Sequence, residues 1–177
     1  MKPKMTMAHV AIMVSDIEKS LHFYRDLLGF DVVSPEEHID GAVAKMVDMP
    51  HVHMREYRLR PSGGIDGFER TSGLGFTFDL IQWISPESPQ QRGPIHQVPS
   101  SHFCFGVDNL PAIYERLKEA GVEFVSPPVL FTGEGEWNVL FFYDPDGNLL
   151  EFNEHGAGAQ KPHDYEWSTV DMDELVE

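Results

Sequence analysis

The chain contains the same pattern twice, and this internal repeat constrains its fold more than any other feature. In the first copy a histidine opens an apolar run, residues 9–14, and a helical pattern follows that ends at Gly29. In the second copy a histidine opens residues 102–107, and the helical pattern ends at Gly121. Further strand-like runs follow in each half, so each half is predicted to form a β-α-β-β-β unit. Two such units are expected to pack as a pseudo-symmetric pair, because one sheet alone would leave an apolar face uncovered.

Apolar periodicity and turn residues predict where the elements of the two units lie. For the first unit they predict a helix over residues 17–28 and strands over 9–14, 30–33, 52–59 and 75–83. For the second they predict a helix over 110–120 and strands over 102–107, 122–125, 137–143 and 149–153. We therefore divide the chain into a first module at 1–88 with a glycine-rich loop at 61–73, a linker at 89–100, a second module at 101–155, and an acidic tail at 156–177.

The charge and cysteine content exclude several classes of partner. Among 177 residues there are 13 Lys and Arg against 29 Asp and Glu, a formal net charge of −16. Nucleic acids and anionic membranes carry the same sign of charge, so neither is expected to bind. No apolar run is long enough to span a bilayer, and we see no export signal. The single cysteine, Cys104, fits a reducing cytoplasm and is predicted to be a packed apolar side chain rather than a nucleophile.

Four polar residues stand at matching positions in the two halves. His9 and His102 open the first strand of each unit, and Asp79 and Glu151 lie in each last strand between apolar neighbours. One such residue alone is more often a paired polar group of the core or of a sheet edge. Matching histidines and acids in both halves instead indicate a bound divalent cation, for which imidazole and carboxylate suit Mn, Fe, Co, Ni, Zn or, less well, Mg. The remaining histidines, including His38, have no matched partner and are expected on the surface or in loops.

At these residues the chain resembles a known family, the vicinal-oxygen-chelate superfamily. That superfamily includes glyoxalase I, methylmalonyl-CoA epimerase, extradiol dioxygenases and the fosfomycin- and bleomycin-resistance proteins. The resemblance covers roughly residues 6–154. It is carried by HVA at 9–11 with FYRDLLGF at 23–30, by DLIQ at 79–82, by HFCFGVD at 102–108 and by DPDGNLLE at 144–151.

The resemblance implies an α+β fold of two paired βαβββ modules that form a cupped, mostly antiparallel sheet around one metal ion. It places His9, His102 and Glu151 on three metal-ligand positions, and Asp79 on the fourth, where glyoxalase I has glutamate. A carboxylate at the metal, Glu151 or Asp79, would then move the substrate proton. The Asp-Pro-Asp-Gly segment is expected only to form a turn that delivers Glu151. The family also implies a homodimer that acts on a small molecule, and the sequence leaves open whether each site lies within one chain or between two.

The superfamily hosts several reactions on one scaffold, so alternatives stay open. We expect a metal-dependent lyase or isomerase that stabilises an enediolate or enolate of an oxygen-chelating substrate. Extradiol ring cleavage by Fe(II) would need only two histidines and one carboxylate, but Phe141 occupies the position where that class has a tyrosine. Thiol addition to an epoxide is a further enzymatic alternative. The non-enzymatic one is a resistance-type protein that sequesters its ligand.

Overall fold

The computed structural model describes residues 8–61, 77–89, 92–96, 101–133 and 135–155, and they form two four-stranded sheets. The first sheet has the order β1-β4-β3-β2, with β1 at His9–Met13, β2 at Asp31–Ile39, β3 at His53–Arg60 and β4 at Thr77–Ser85. The second has the order β5-β8-β7-β6, with β5 at His102–Gly106, β6 at Val129–Gly133, β7 at Gly135–Tyr143 and β8 at Leu149–His155. In each sheet the first and last strands are parallel and the other neighbours antiparallel. This confirms the predicted α+β fold of two βαβββ units.

The predicted division into modules stays a prediction. Of the glycine-rich loop only Pro61 lies within the described residues. The acidic tail at 156–177 lies outside them, and the linker is described only at residue 89 and at 92–96.

The first helix differs from its prediction because its hydrogen bonding changes after one turn. Asp16 caps α1 (Ile17–Leu21), and its carboxylate accepts from the backbone of Glu18 and Lys19. The chain then continues as a π-helical segment, His22–Leu27, in which the Leu28 N–H donates to the Phe23 carbonyl. A second helix, α2 (Gly41–Met46), was not predicted. None of the described helices is long and apolar enough to cross a membrane.

The second unit also departs from its prediction at one strand. Its helix α3 (Leu110–Glu119) begins at the Asn109 cap as expected. The predicted strand at 122–125 is wrong: only an isolated bridge pairs Phe124 with Phe142 of β7. The next strand along this edge, β6, begins only at Val129. The intervening Pro127 and Pro128 have no N–H to donate, so they interrupt the edge before it can pair continuously.

One hydrophobic core is shared by both units. Phe78 of β4 lies edge-on to Phe103 and Phe105 of β5, with ring centroids 5.0 and 5.6 Å apart. Phe142 of β7 belongs to the same buried cluster. Because side chains alternate along a strand, the neighbours of these core residues point to the opposite face of each sheet. Asp79, between Phe78 and Leu80, is therefore directed away from the shared core.

The turn between β7 and β8 ties the two units together. The Tyr24 hydroxyl donates to Asp144 Oδ2 at 2.9 Å, and both residues are buried. The Ser15 N–H donates to Asp146 Oδ2 at 3.1 Å, and its hydroxyl contacts the same carboxylate. Gly147 takes the positive φ that this turn requires. The two aspartates thus have an inter-unit role in addition to the turn predicted for them.

Candidate metal centre

The first candidate pair joins the first and last strands of the first unit, which are neighbours in its sheet. His9 lies on β1 and Asp79 on the parallel strand β4, where Asp79 pairs with Ala11. His9 Nδ1 is 3.7 Å from Asp79 Oδ2, and the Asp79 side chain is only 3% exposed. Asp79 Oδ1 is buried without a hydrogen-bond partner. A buried carboxylate oxygen in that state is costly unless a positive charge lies beside it, so Asp79 needs a cationic neighbour.

The second candidate pair has the same construction. His102 lies on β5 and Glu151 on the parallel strand β8, where Glu151 pairs with Cys104. His102 Nε2 is 2.9 Å from Glu151 Oε2. The His102 ring also meets Phe141 of β7 edge-on, with centroids 5.3 Å apart. In both sheets the carboxylate therefore pairs with the residue two places after the histidine.

The structure keeps the two pairs apart. Within the part of the chain that it describes, no group of three or more His, Cys, Asp or Glu side chains could hold a metal ion. The four residues predicted from the sequence thus form two half-sites of two residues each. Each half-site has one histidine that is about half exposed, His9 at 57% and His102 at 47%, so both are open to further contacts.

Sequence reasoning missed a charged network around the first half-site. Arg58 of β3 pairs across the sheet with Asp79, and its Nε lies 3.5 Å from Asp79 Oδ1. The same guanidinium donates to Glu56 at 3.1 Å and lies 3.5 Å from Glu36. His38, expected in a loop or on the surface, is instead half-buried on β2 beside Glu36 and Glu56. Only the strand register brings these residues together, and a single sequence does not reveal that register.

The amino-acid sequence identifies the protein family. The sequence model of the Glyoxalase/Bleomycin resistance protein/Dioxygenase superfamily matches residues 6–152. The chain belongs to this superfamily. It is 30% identical over 152 residues to a lactoylglutathione lyase of Pseudomonas aeruginosa, covering 81% of this chain and 78% of that one. It is 29% identical over 141 residues to an ethylmalonyl-CoA/methylmalonyl-CoA epimerase of Cereibacter sphaeroides, covering 79% and 89%.

A solved structure agrees on the fold of the superfamily. A glyoxalase family protein from Bacillus cereus superposes with a TM-score of 0.70 at 14% identity, covering 87% of this chain and 96% of that one. The two sequence relatives are a lyase and an epimerase. The relationship is therefore to enzymes of the superfamily.

The residues present fit a divalent ion of the kind that superfamily members typically use. Two imidazoles and two carboxylates, with no thiolate among them, are donors that suit Mn, Fe, Co, Ni or Zn. Asp79 Oδ1 is buried without a hydrogen-bond partner but lies 3.5 Å from the Arg58 guanidinium, so Oδ2, on the His9 side, is the oxygen left for an ion. On β8, Asn153 shares the sheet face of Glu151, and its Oδ1 is likewise buried without a partner.

The position of Cys104 corrects its prediction as a packed apolar residue. Cys104 is exposed and shares the sheet face of His102 and Glu151. Although the residue as a whole is exposed, the protein around its sulfur partly removes it from water, and this desolvation, with the nearby Glu151 carboxylate, raises the pKa of the thiol to about 12. The thiol therefore stays protonated at neutral pH, which agrees with the prediction that it is no nucleophile.

Proposed function

We propose that the protein is a divalent-metal-dependent enzyme of the glyoxalase and epimerase type, a lyase or isomerase acting on a small oxygen-chelating substrate. The observation that carries the proposal is the matched pair of half-sites, His9 with Asp79 and His102 with Glu151, in identical register. The lyase and epimerase relatives support the same class of reaction.

In this proposal all four residues hold the ion. When bound, a divalent metal supplies Lewis-acid stabilisation of negative charge that develops on substrate oxygens, as in an enediolate or enolate. Glu151 is the better candidate to accept the substrate proton, through Oε1 or Oε2, with Asp79 as the alternative. Asp79 is 3% exposed and already forms an ion pair with Arg58, whereas Glu151 is 12% exposed and lies beside His102 and the Cys104 thiol, so Glu151 is the more accessible of the two carboxylates.

The proposal also requires a second copy of the chain. Each sheet supplies only two donors, and the described residues of one chain do not gather them. A homodimer that sets the first sheet of one copy against the second sheet of the other would join His9 and Asp79 with His102 and Glu151. Two-fold symmetry would then create two equivalent sites per dimer.

Metal analysis tests the proposal directly. Protein purified without added metal, then loaded with Mn²⁺, Co²⁺, Ni²⁺ or Zn²⁺ and desalted, should retain close to one ion per chain. The double variant His9→Ala, His102→Ala should retain almost none. His22→Ala, which removes an exposed histidine paired only with Asp26, is the matched control and should bind as the wild type does. Full occupancy in the double variant would refute the metal site.

The reaction class is tested separately on the loaded protein. Methylmalonyl-CoA and lactoylglutathione, the compounds named for the two relatives, are incubated with it in D₂O. Deuterium at the carbon beside the carbonyl, detected by NMR, would support proton transfer on that carbon. Oxygen uptake with catechols and Fe(II), without such exchange, would favour the dioxygenase alternative instead.

A further inference from the structure

We propose that Arg58 is a positioning residue that fixes Asp79 as a metal ligand through a single oxygen. Arg58 Nε lies at ion-pair distance, 3.5 Å, from one oxygen of the carboxylate, Oδ1, and leaves the other, Oδ2, facing His9. This inference rests on the proposed function, since it presupposes that Asp79 ligates the metal.

The strand register places Arg58 and Asp79 side by side on the same face of the sheet. Arg58 of β3 and Asp79 of β4 are directly opposed in an antiparallel pair, so their side chains leave the same face of the sheet. Arg58 is about one-third exposed while Asp79 is buried. The guanidinium therefore lies over the carboxylate from the solvent side.

The two oxygens of Asp79 face different neighbours. Oδ2 lies 3.7 Å from His9 Nδ1, on the side where the metal is proposed to bind. Oδ1 lies 3.5 Å from Arg58 Nε, and it is the buried oxygen that no hydrogen bond satisfies. The oxygen without a hydrogen bond thus lies within ion-pair distance of the Arg58 guanidinium, which assigns Oδ1 to Arg58 and Oδ2 to the metal.

The guanidinium is itself held in place by two other carboxylates. Its three nitrogens point to three different acids: one terminal nitrogen donates to Glu56 at 3.1 Å, the other lies 3.5 Å from Glu36, and Nε faces Asp79. A planar fork can serve three acceptors in fixed directions, whereas the single ammonium of a lysine cannot. Because Glu36 of β2 and Glu56 of β3 hold the guanidinium, Arg58 restricts the orientation of the Asp79 carboxylate on β4.

A positioning role for Arg58 and a purely electrostatic role predict different effects of its replacement on metal binding. The cluster of Glu36, Glu56 and Asp79 carries three negative charges against one positive charge on Arg58. If Arg58 acted only through its charge, removing it would strengthen cation binding and replacing it with lysine would change nothing. If it positions Asp79, both changes weaken binding, because the carboxylate loses its fixed orientation.

Chelator competition with Co²⁺ or Zn²⁺ on the full chain provides the test. Arg58→Lys and Arg58→Met should each weaken metal binding by about tenfold, as outer-shell partners of metal ligands commonly do. Arg60→Met is the matched control: it removes the same charge from the same strand at an exposed residue with no ion pair to Asp79, and it should bind as the wild type does. Circular dichroism melts establish that the variants fold.

A double-mutant cycle with Asp79→Ala shows whether Arg58 acts through Asp79. The loss caused by Arg58→Lys should disappear in the Asp79→Ala background. The Co²⁺ absorption spectrum of Arg58→Lys should also change, since ligand geometry changes while charge does not. Tighter or unchanged binding in both Arg58 variants, or equal losses in both backgrounds, would overturn the positioning role. If Asp79→Ala itself leaves metal affinity unchanged, the four-ligand site of the proposed function fails, and Arg58 loses its role with it.

Discussion

Asp79 and Glu151 occupy the same position in their two sheets, each opposite the residue two places after a histidine. Their surroundings nevertheless differ. Asp79 faces the guanidinium of Arg58, whereas Glu151 faces the neutral thiol of Cys104. The repeat thus supplies two equivalent carboxylates, and their neighbours distinguish them: one is held by a cation and the other is not. This asymmetry is what a site needs if one carboxylate only ligates and the other also moves a proton.

Mixing two inactive variants should restore metal binding if the site forms between two chains. One variant lacks the first half-site (His9→Ala, Asp79→Ala) and the other lacks the second (His102→Ala, Glu151→Ala). Each alone should bind almost no metal. After subunit exchange, each mixed dimer has one intact site, so the mixture should regain about a quarter of the wild-type metal content.

Two measurements complete that experiment. Light scattering at micromolar concentration should give the mass of a dimer for the wild type and for both variants. The matched control mixes the first variant with itself under the same exchange conditions, and it should gain no metal. A dimer whose mixture stays without metal would place each site within a single chain, and a monomeric mass would exclude the dimer.

The thiol of Cys104 should react slowly in the metal-free protein. Because desolvation of the sulfur and Glu151 raise its pKa to about 12, iodoacetamide at neutral pH should alkylate it roughly a thousandfold more slowly than a cysteine of ordinary pKa. Glu151→Gln removes the negative charge that disfavours the thiolate, so its pKa should fall and alkylation should accelerate. Burial, the larger cause, remains, so the rate should stay below that of the unfolded protein.

Glu154→Gln is the control for this prediction. It makes the same change on the same strand, but Glu154 points to the opposite face and contacts Asn138. Its alkylation rate, followed by mass spectrometry, should equal that of the wild type. Equal rates in the Glu151→Gln and wild-type proteins would show that Glu151 does not act on the thiol.

Tyr24→Phe should destabilise the contact between the two units in a pH-dependent way. The variant loses the hydroxyl that donates to Asp144, which should cost about 1–3 kcal/mol of unfolding free energy. Burial raises the pKa of Asp144 above its ordinary value, and the hydrogen bonds from Asn148 and Tyr24 partly offset this rise. Without Tyr24 the folded-state pKa should rise further.

The sign of the pH dependence follows from linkage. An aspartate with a raised pKa in the folded state contributes stability that is present below its unfolded pKa and is lost as pH rises through its folded pKa. The difference in unfolding free energy between wild type and Tyr24→Phe should therefore be larger at neutral pH than in acid. Urea unfolding at both pH values measures it. Tyr114→Phe, whose hydroxyl makes no hydrogen bond with the described residues, is the control, and an equal loss there would remove the role assigned to Asp144.

The sequence predicted those parts of the fold that depend on local pattern. Both repeat units, the capped starts of α1 and α3 and most strands follow from apolar periodicity and turn residues. The strand predicted at 122–125 was wrong because these residues have the apolar pattern of a strand, whereas Pro127 and Pro128, which interrupt the pairing, lie outside that pattern. The π-helical segment was not predicted, because the spacing of its apolar residues is the same as in an α-helix and does not reveal the i to i+5 hydrogen bonds.

The candidate site was predictable only where the repeat duplicated it. His9, Asp79, His102 and Glu151 stand out because each has a counterpart in the other half. Arg58 has no such counterpart, and its contact with Asp79 depends on how β3 and β4 align, which is a property of the assembled sheet. The separation of the two half-sites likewise depends on which faces the units bury against each other.

Substitutions of Asp79 test whether this aspartate ligates the metal at the position where the family resemblance implies a glutamate in glyoxalase I. Asp79→Ala removes one ligand and one charge, and it should weaken metal binding by roughly tenfold to a hundredfold. Asp79→Glu should be tolerated, because the longer acid still offers a carboxylate. Asp79→Asn should weaken metal binding as much as Asp79→Ala does. Arg58 can only donate hydrogen bonds, so the amide oxygen should turn toward Arg58 and the NH₂ group toward His9. An amide NH₂ group cannot ligate a metal ion. Chelator competition measures all three affinities. Unchanged affinity in Asp79→Ala would leave a site of His9, His102 and Glu151, the two-histidine, one-carboxylate set on which Fe(II) dioxygenases operate.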